Sequence, residues 1–172
     1  HQPQKTKYQV GNSHFQMSRG ILDATIQLPD KQLRFLGVHL KSKRPSPEAD
    51  QELMRRAESG LLRNHIDHIL SKKPETHLIV YGDFNDSRRT PTLRTAMGRL
   101  DSKSGLILLH PEDTHGDRWT HHWAREDIYS RFDYVMVSKS LVPSIDKKGM
   151  HILDPENWGQ ASDHRAILVP IQ

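Results

Sequence analysis

Asp83 and Asn85 stand two residues apart in Tyr81-Gly82-Asp83-Phe84-Asn85, directly after the apolar run Leu78-Ile79-Val80. Side chains alternate along an extended chain, so a strand ending here presents the carboxylate and the amide to one side. Oxygen donors of this kind suit a hard divalent cation, and an amide N–H can also hold a phosphate oxygen. The same residues equally suit a tight turn, since Gly82-Asp83 and Asn85-Asp86 are turn chemistry.

Two further stretches bring acids and imidazoles to strand ends. In Arg131-Phe132-Asp133-Tyr134-Val135, Asp133 shares a strand face with Val135 and Val137. An acid buried there needs a partner, either a histidine whose tautomer it fixes or the adjacent Arg131. In Ser162-Asp163-His164-Arg165, neighbouring residues point apart and cannot form a triad among themselves. His164 either pairs with Asp133 and takes a proton from water, or lies in a surface loop.

His39 continues the period-two face of Phe35 and Gly37, as a core histidine or as part of a site. Arg19 and Lys41 bracket the same strand ends, where they contact phosphate or are simply solvated. Arg118-Trp119-Thr120-His121-His122-Trp123 sets aromatic rings beside cations, for base stacking or for a packed loop. His65 and His68 share a helix face and read as solvated.

The elements that must position these residues follow from periodicity. Arg19 to Leu28 and Leu33 to Leu40 read as a strand hairpin across Pro29-Asp30-Lys31. Ser46-Pro47-Glu48 predicts a helix start, and Lys72-Lys73-Pro74 its end. Met54, Ala57, Leu61, Leu62, Ile66, Ile69 and Leu70 repeat between them at helical spacing. A buried strand over Leu78 to Tyr81, a short helix over Thr92 to Arg99 and a strand over Phe132 to Val137 come next. Leu106 to Leu109 is an apolar run of open type, Ile145 to Leu153 a further strand, and Ala166 to Ile171 a terminal strand. His1 to His14 reads as a polar loop. This order predicts a layered α/β domain.

At 172 residues the chain is long enough for one domain with a sizeable core. It has no cysteine, which excludes disulfides, thiolate metal sites and a cysteine nucleophile and leaves the compartment open. No apolar stretch approaches the roughly 20 residues of a membrane span, and no signal peptide is visible. The net charge of +4 suits polyanionic partners or serves only solubility.

Val38-His39-Leu40-Lys41-Ser42, Gly82-Asp83-Phe84-Asn85, Arg131-Phe132-Asp133-Tyr134 and Ser162-Asp163-His164 occur in that order. Together they resemble the endonuclease/exonuclease/phosphatase superfamily, from Arg19 to Ile171. The resemblance implies a four-layered, deoxyribonuclease-like α/β sandwich that hydrolyses phosphate esters with Mg²⁺, or with Mn²⁺ or Ca²⁺. It makes His164 the general base and Asp133 the acid that orients it. Asp83 and Asn85 position water and phosphate, with Asp83, Asn85 and Asp163 as metal donors. His39 contacts the phosphate. Apart from the resemblance, Arg19, Lys41 and Trp119 are the further candidates for the substrate surface. Nucleic acid is the expected partner, with phospholipid or small phosphate esters as the alternative. A non-catalytic binding protein stands third. The family's metal-binding Asn and Glu of an N-terminal half have no counterpart here. The chain therefore reads as the C-terminal portion of such a domain, expected to be weak alone and to pair with a companion half.

Overall fold

The computed structural model describes residues 6–172. Its frame is a five-stranded mixed sheet. Strands β3 (Ile21–Gln27) and β4 (Gln32–His39) form the expected hairpin. Helix α1 (Gln51–Lys72) then returns the chain to β5 (His77–Asp83), parallel to β4. Helix α2 (Pro91–Met97) leads to β6 (Leu106–Leu108), and β9 (Asp133–Ser138) inserts antiparallel between β5 and β6. The spatial order is β3-β4-β5-β9-β6.

Alternation along the inner strands builds two cores. Leu36, Val38, Leu78, Val80, Tyr134 and Met136 pack under α1 and α2 against Leu62, Ile66 and Leu93. Leu33, Ile79 and Val137 face the other way, against Leu141 and Ile145. That second face is covered only in part, since Leu22 and Ile26 at its edge are 41% and 49% exposed. The helical layer and one sheet layer of the expected sandwich are thus present among the described residues.

Several boundaries differ from expectation. Helix α1 starts at Gln51, because the Asp50 carboxylate accepts from the Glu52 and Leu53 amides at 2.8 and 3.0 Å. That cap satisfies two of the first-turn donors, and Ser46-Pro47 stays outside the helix. The polar segment near the N-terminus forms a hairpin, β1 (Lys7–Val10) with β2 (Ser13–Gln16), anchored by buried Tyr8 and Met17. Residues 1–5 of the expected loop lie outside the described residues.

No continuous strand spans Ile145 to Leu153. A short 3₁₀ turn over Lys139–Ser144 enters this region. Asp146 then accepts from the Lys148 and Gly149 amides at 3.0 and 3.2 Å, closing a turn. Only β10 (His151–Ile152) is extended beyond it, and it pairs with β11 (Ile167–Leu168) rather than with the main sheet. A third hairpin, β7 (His121–Trp123) with β8 (Ile128–Ser130), precedes β9, and α3 (Trp158–Ala161) precedes β11. His65 is not solvated. Its Nε2 lies 2.8 Å from Asp23 Oδ2, beside the Arg34–Asp23 ion pair. Among the described residues no helix is long and apolar enough to cross a membrane.

Candidate active site

Register aligns the chemistry. His39 pairs with Asp83 across β4 and β5, and Asp83 pairs with Asp133 across β5 and β9. Three adjacent strands thus end side by side in an imidazole and two carboxylates, on the half-covered face of the sheet. His164 extends the row, with Nδ1 2.7 Å from Asp133 Oδ2. His39 Nε2 is 3.3 Å from Asp83 Oδ2.

Gly82 sets where β5 delivers Asp83. Its φ is +133°, and a Cβ there would sit 1.9 Å from the Val38 carbonyl oxygen, so only glycine permits this approach of β5 to β4. The Leu40 amide donates to the Asp83 carbonyl and the Phe84 amide to the Phe132 carbonyl, at 2.9 and 2.8 Å. Asn85 reaches Asp83 by a tight bend and not by strand alternation. It adopts φ 50°, its amide donates to Asp83 Oδ1 at 2.7 Å, and its Nδ2 donates to Asp83 Oδ2 and the Leu40 carbonyl. Its Oδ1 accepts no hydrogen bond among the described residues.

Electrostatics differ along the row. Burial raises the Asp83 carboxyl, and the like charge of Asp133 adds to this. Burial lowers His39. The hydrogen bond to Asp133 raises His164 above the ordinary histidine value. With Asp133 accepting the Nδ1 proton, Nε2 of neutral His164 carries the free lone pair.

Asp163 projects outward, with its side chain 72% exposed and Oδ2 3.8 Å from His121 Nε2. Arg19 is exposed, and Lys41 is half-buried, with its amide donating to Glu58 Oε2 at 2.7 Å. One face of Trp119 is taken by the Arg165 guanidinium, 3.4 Å from the ring centroid, and Tyr129 packs on the ring edge. Trp119 and Asp163 also line a cavity of about 480 Å³ beside the row, with Asp117, Tyr129, Asp154 and Glu156.

Two residues escaped sequence reasoning. Thr120 is fully buried, and its Oγ1 accepts from the Phe132 and Asp133 amides, both at 3.1 Å. Its carbonyl accepts from the Arg165 amide at 2.7 Å, so one threonine ties the Asp133 strand to the His164 segment. His121 sits opposite His164 in an isolated antiparallel bridge. Its ring stacks on Phe132 and approaches His164 with centroids 4.7 Å apart. The one local signal was their position in the unusual run Arg118 to Trp123.

A helix-covered mixed sheet with acids and imidazoles at its strand ends defines a mixed α/β fold of the deoxyribonuclease-like type. Residues 4–162 match the Endonuclease/Exonuclease/phosphatase family, and the chain belongs to it. Among solved structures it is similar to a truncated TDP2 from Caenorhabditis elegans, at 17% identity and a TM-score of 0.61, covering 98% of this chain and 64% of that one. It is also similar to sphingomyelinase C from Streptomyces griseocarneus, at 12% identity and a TM-score of 0.58, covering 89% and 57% of the two chains. A mutant beta toxin from Staphylococcus aureus with bound magnesium ions matches at 14% identity and a TM-score of 0.56, covering 89% and 58%. The chain thus spans 57 to 64% of the length of these structures, and the likeness is one of fold. No curated protein matches it.

Proposed function

We propose that this chain carries the acid–base side of a metal-dependent phosphodiesterase centre. The observation that carries the reading is the contiguous row His39, Asp83, Asp133 and His164, with His164 Nδ1 held by Asp133. In this reading His164 Nε2 takes a proton from water that attacks phosphorus. Asp133 keeps the imidazole in the required tautomer and stabilises the imidazolium that forms. Asp83 and Asn85 orient the water and phosphate, and His39 contacts a phosphate oxygen.

A hard cation fits the donors on this side. Asp83 is a partly buried carboxylate raised by burial and by a like charge, and Asn85 Oδ1 lacks a donor among the described residues. Asp83, Asn85 and Asp163 would hold Mg²⁺, or Mn²⁺ or Ca²⁺, which when bound stabilises charge on the phosphate oxygens. Further donors are proposed to come from a companion half seated on the partly covered sheet face at Leu22 and Ile26.

Nucleic acid is the first substrate, on the strength of the +4 charge and of Lys41, Lys43, Arg44, Arg88 and Arg89. A phospholipid or small phosphate ester is the second reading, favoured by the cavity beside Asp163, whose acidic and aromatic lining suits a cationic headgroup. The test is hydrolysis of DNA and of a choline phospholipid by the full-length protein with Mg²⁺, across salt concentrations. A nuclease loses affinity steeply with salt, whereas the headgroup reading expects a shallow slope. Unchanged turnover in His164→Ala would leave only a non-catalytic binding role.

A further inference from the structure

We infer that His121, Asp163 and His164 form a site for a borderline divalent ion such as Zn²⁺, and that its occupation switches the hydrolytic centre off. The inhibitory half rests on the function proposed above; the site itself does not.

The fold brings the donors together by register. Strand β7 runs antiparallel to the 163–165 segment. The His122 amide donates to the Asp163 carbonyl at 2.9 Å, and the Arg165 amide donates to the Thr120 carbonyl at 2.7 Å. Between these bonds, His121 and His164 stand directly opposite each other. The donor atoms of His121, Asp163 and His164 all lie within 4.8 Å of one another, the one such trio of acids and imidazoles among the described residues.

Two of the three donors are held in place by neighbours. Asp133 holds His164 Nδ1 at 2.7 Å, an arrangement in which a carboxylate fixes the tautomer of a metal-binding imidazole. Phe132 stacks on the His121 ring at 5.3 Å between centroids and orients it. The buried His121 Nδ1 has no hydrogen-bond partner, and Nε2, 3.8 Å from Asp163 Oδ2, is the nitrogen that faces the trio. Asp163 is the exposed donor, its side chain 72% exposed. Tetrahedral zinc needs ligand atoms about 3.3 Å apart at Zn–N distances near 2.0–2.1 Å, so the trio must tighten by roughly an ångström. Two imidazoles and one carboxylate, with water in the fourth position, favour Zn²⁺ over Mg²⁺, which prefers oxygen donors.

The consequence follows from a single lone pair. Nε2 of His164 is the atom that would accept the proton from water. Once it ligates Zn²⁺, the base is lost, and Asp163 is drawn away from any Mg²⁺ it would share with Asp83 and Asn85.

Co²⁺ serves as the spectroscopic probe. Titrated into the full-length protein in excess Mg²⁺, it should give visible d–d bands of a tetrahedral site, displaced by Zn²⁺. His121→Gln should weaken Co²⁺ binding at least 10-fold while circular dichroism stays native, and Asp163→Asn should weaken it too. His122→Gln, on the opposite side of β7, should leave it unchanged. Zn²⁺ should inhibit hydrolysis, with a midpoint raised at least 10-fold in His121→Gln when each protein's turnover is taken relative to its own Zn²⁺-free rate. Absence of the bands, or bands unaltered in a folded His121→Gln, overturns the site. Bands that form without any loss of turnover overturn the switch. Bands in a protein that hydrolyses nothing uphold the site and overturn only the hydrolase reading.

Discussion

His164 and Asp133 are 31 residues apart in the chain, yet Nδ1 of one lies 2.7 Å from Oδ2 of the other. Neither segment makes this contact alone. Thr120 lies between them, its hydroxyl on the Asp133 amide and its carbonyl on the Arg165 amide. The base and its orienting acid are therefore set by a third residue that performs no chemistry.

The raised His164 fixes the sign of the pH dependence. A general base works deprotonated, so turnover should fall as pH drops through a midpoint above the ordinary 6.5. Asp133→Asn removes the dominant cause of the shift. NMR titration of the His164 ring should then show a lower midpoint, and kcat should fall by about 10²–10⁴-fold. An unchanged midpoint would mean that the hydrogen bond to Asp133 is not what holds the proton.

Thr120→Val keeps the shape and deletes the hydroxyl that accepts from two amides. Stranding buried N–H groups costs about 1–3 kcal/mol, measurable by chemical denaturation. Asp133 should also lose its placement, so kcat should drop with little change in KM. Wild-type turnover in a folded Thr120→Val would remove the clamp from the account.

Gly82→Ala places a methyl 1.9 Å from a backbone oxygen and forces φ +133° on a residue that avoids it. The expected cost is about 3 kcal/mol or more, because backbone strain and a backbone clash add. Gly60, inside α1, meets nothing within 4 Å, so Gly60→Ala should instead stabilise by about 0.5–1 kcal/mol and is the contrasting control for the same denaturation series.

Glu58 is 3% exposed, accepting from the Tyr8 hydroxyl at 3.2 Å and from the Lys41 amide at 2.7 Å. Burial raises its carboxyl above 4.5 despite both hydrogen bonds. A raised folded value contributes stability that is complete below the unfolded value and lost as pH rises through the folded one. The difference between Glu58→Gln and the parent should therefore move in favour of the variant as pH climbs from 4.5 toward neutrality. A difference independent of pH would contradict this.

Much of the site was legible because its residues sit on regular strands. Period-two alternation put His39 with Phe35 and Gly37, and Asp133 with Val135 and Val137, and those faces hold in the sheet. The helical repeat from Met54 to Leu70 marked the buried stripe of α1. Where several residue types competed for one local task, the reading slipped. Asp50 displaced Ser46 as the cap, and the Asp146 turn broke the strand expected over Ile145 to Leu153. The short hairpins were hidden because segments of three or four residues carry too few alternations to declare themselves.

The chain's own order of residues determined the strand and helix periods, the glycine at position 82 and the kinds of donor at each strand end, all properties of neighbours along the backbone. Only tertiary structure decided that His39, Asp83 and Asp133 share one register, that Thr120 joins two distant segments, and that His121 faces His164. Those facts depend on hydrogen-bond register between strands remote in sequence, where a shift of one residue turns every side chain to the other face.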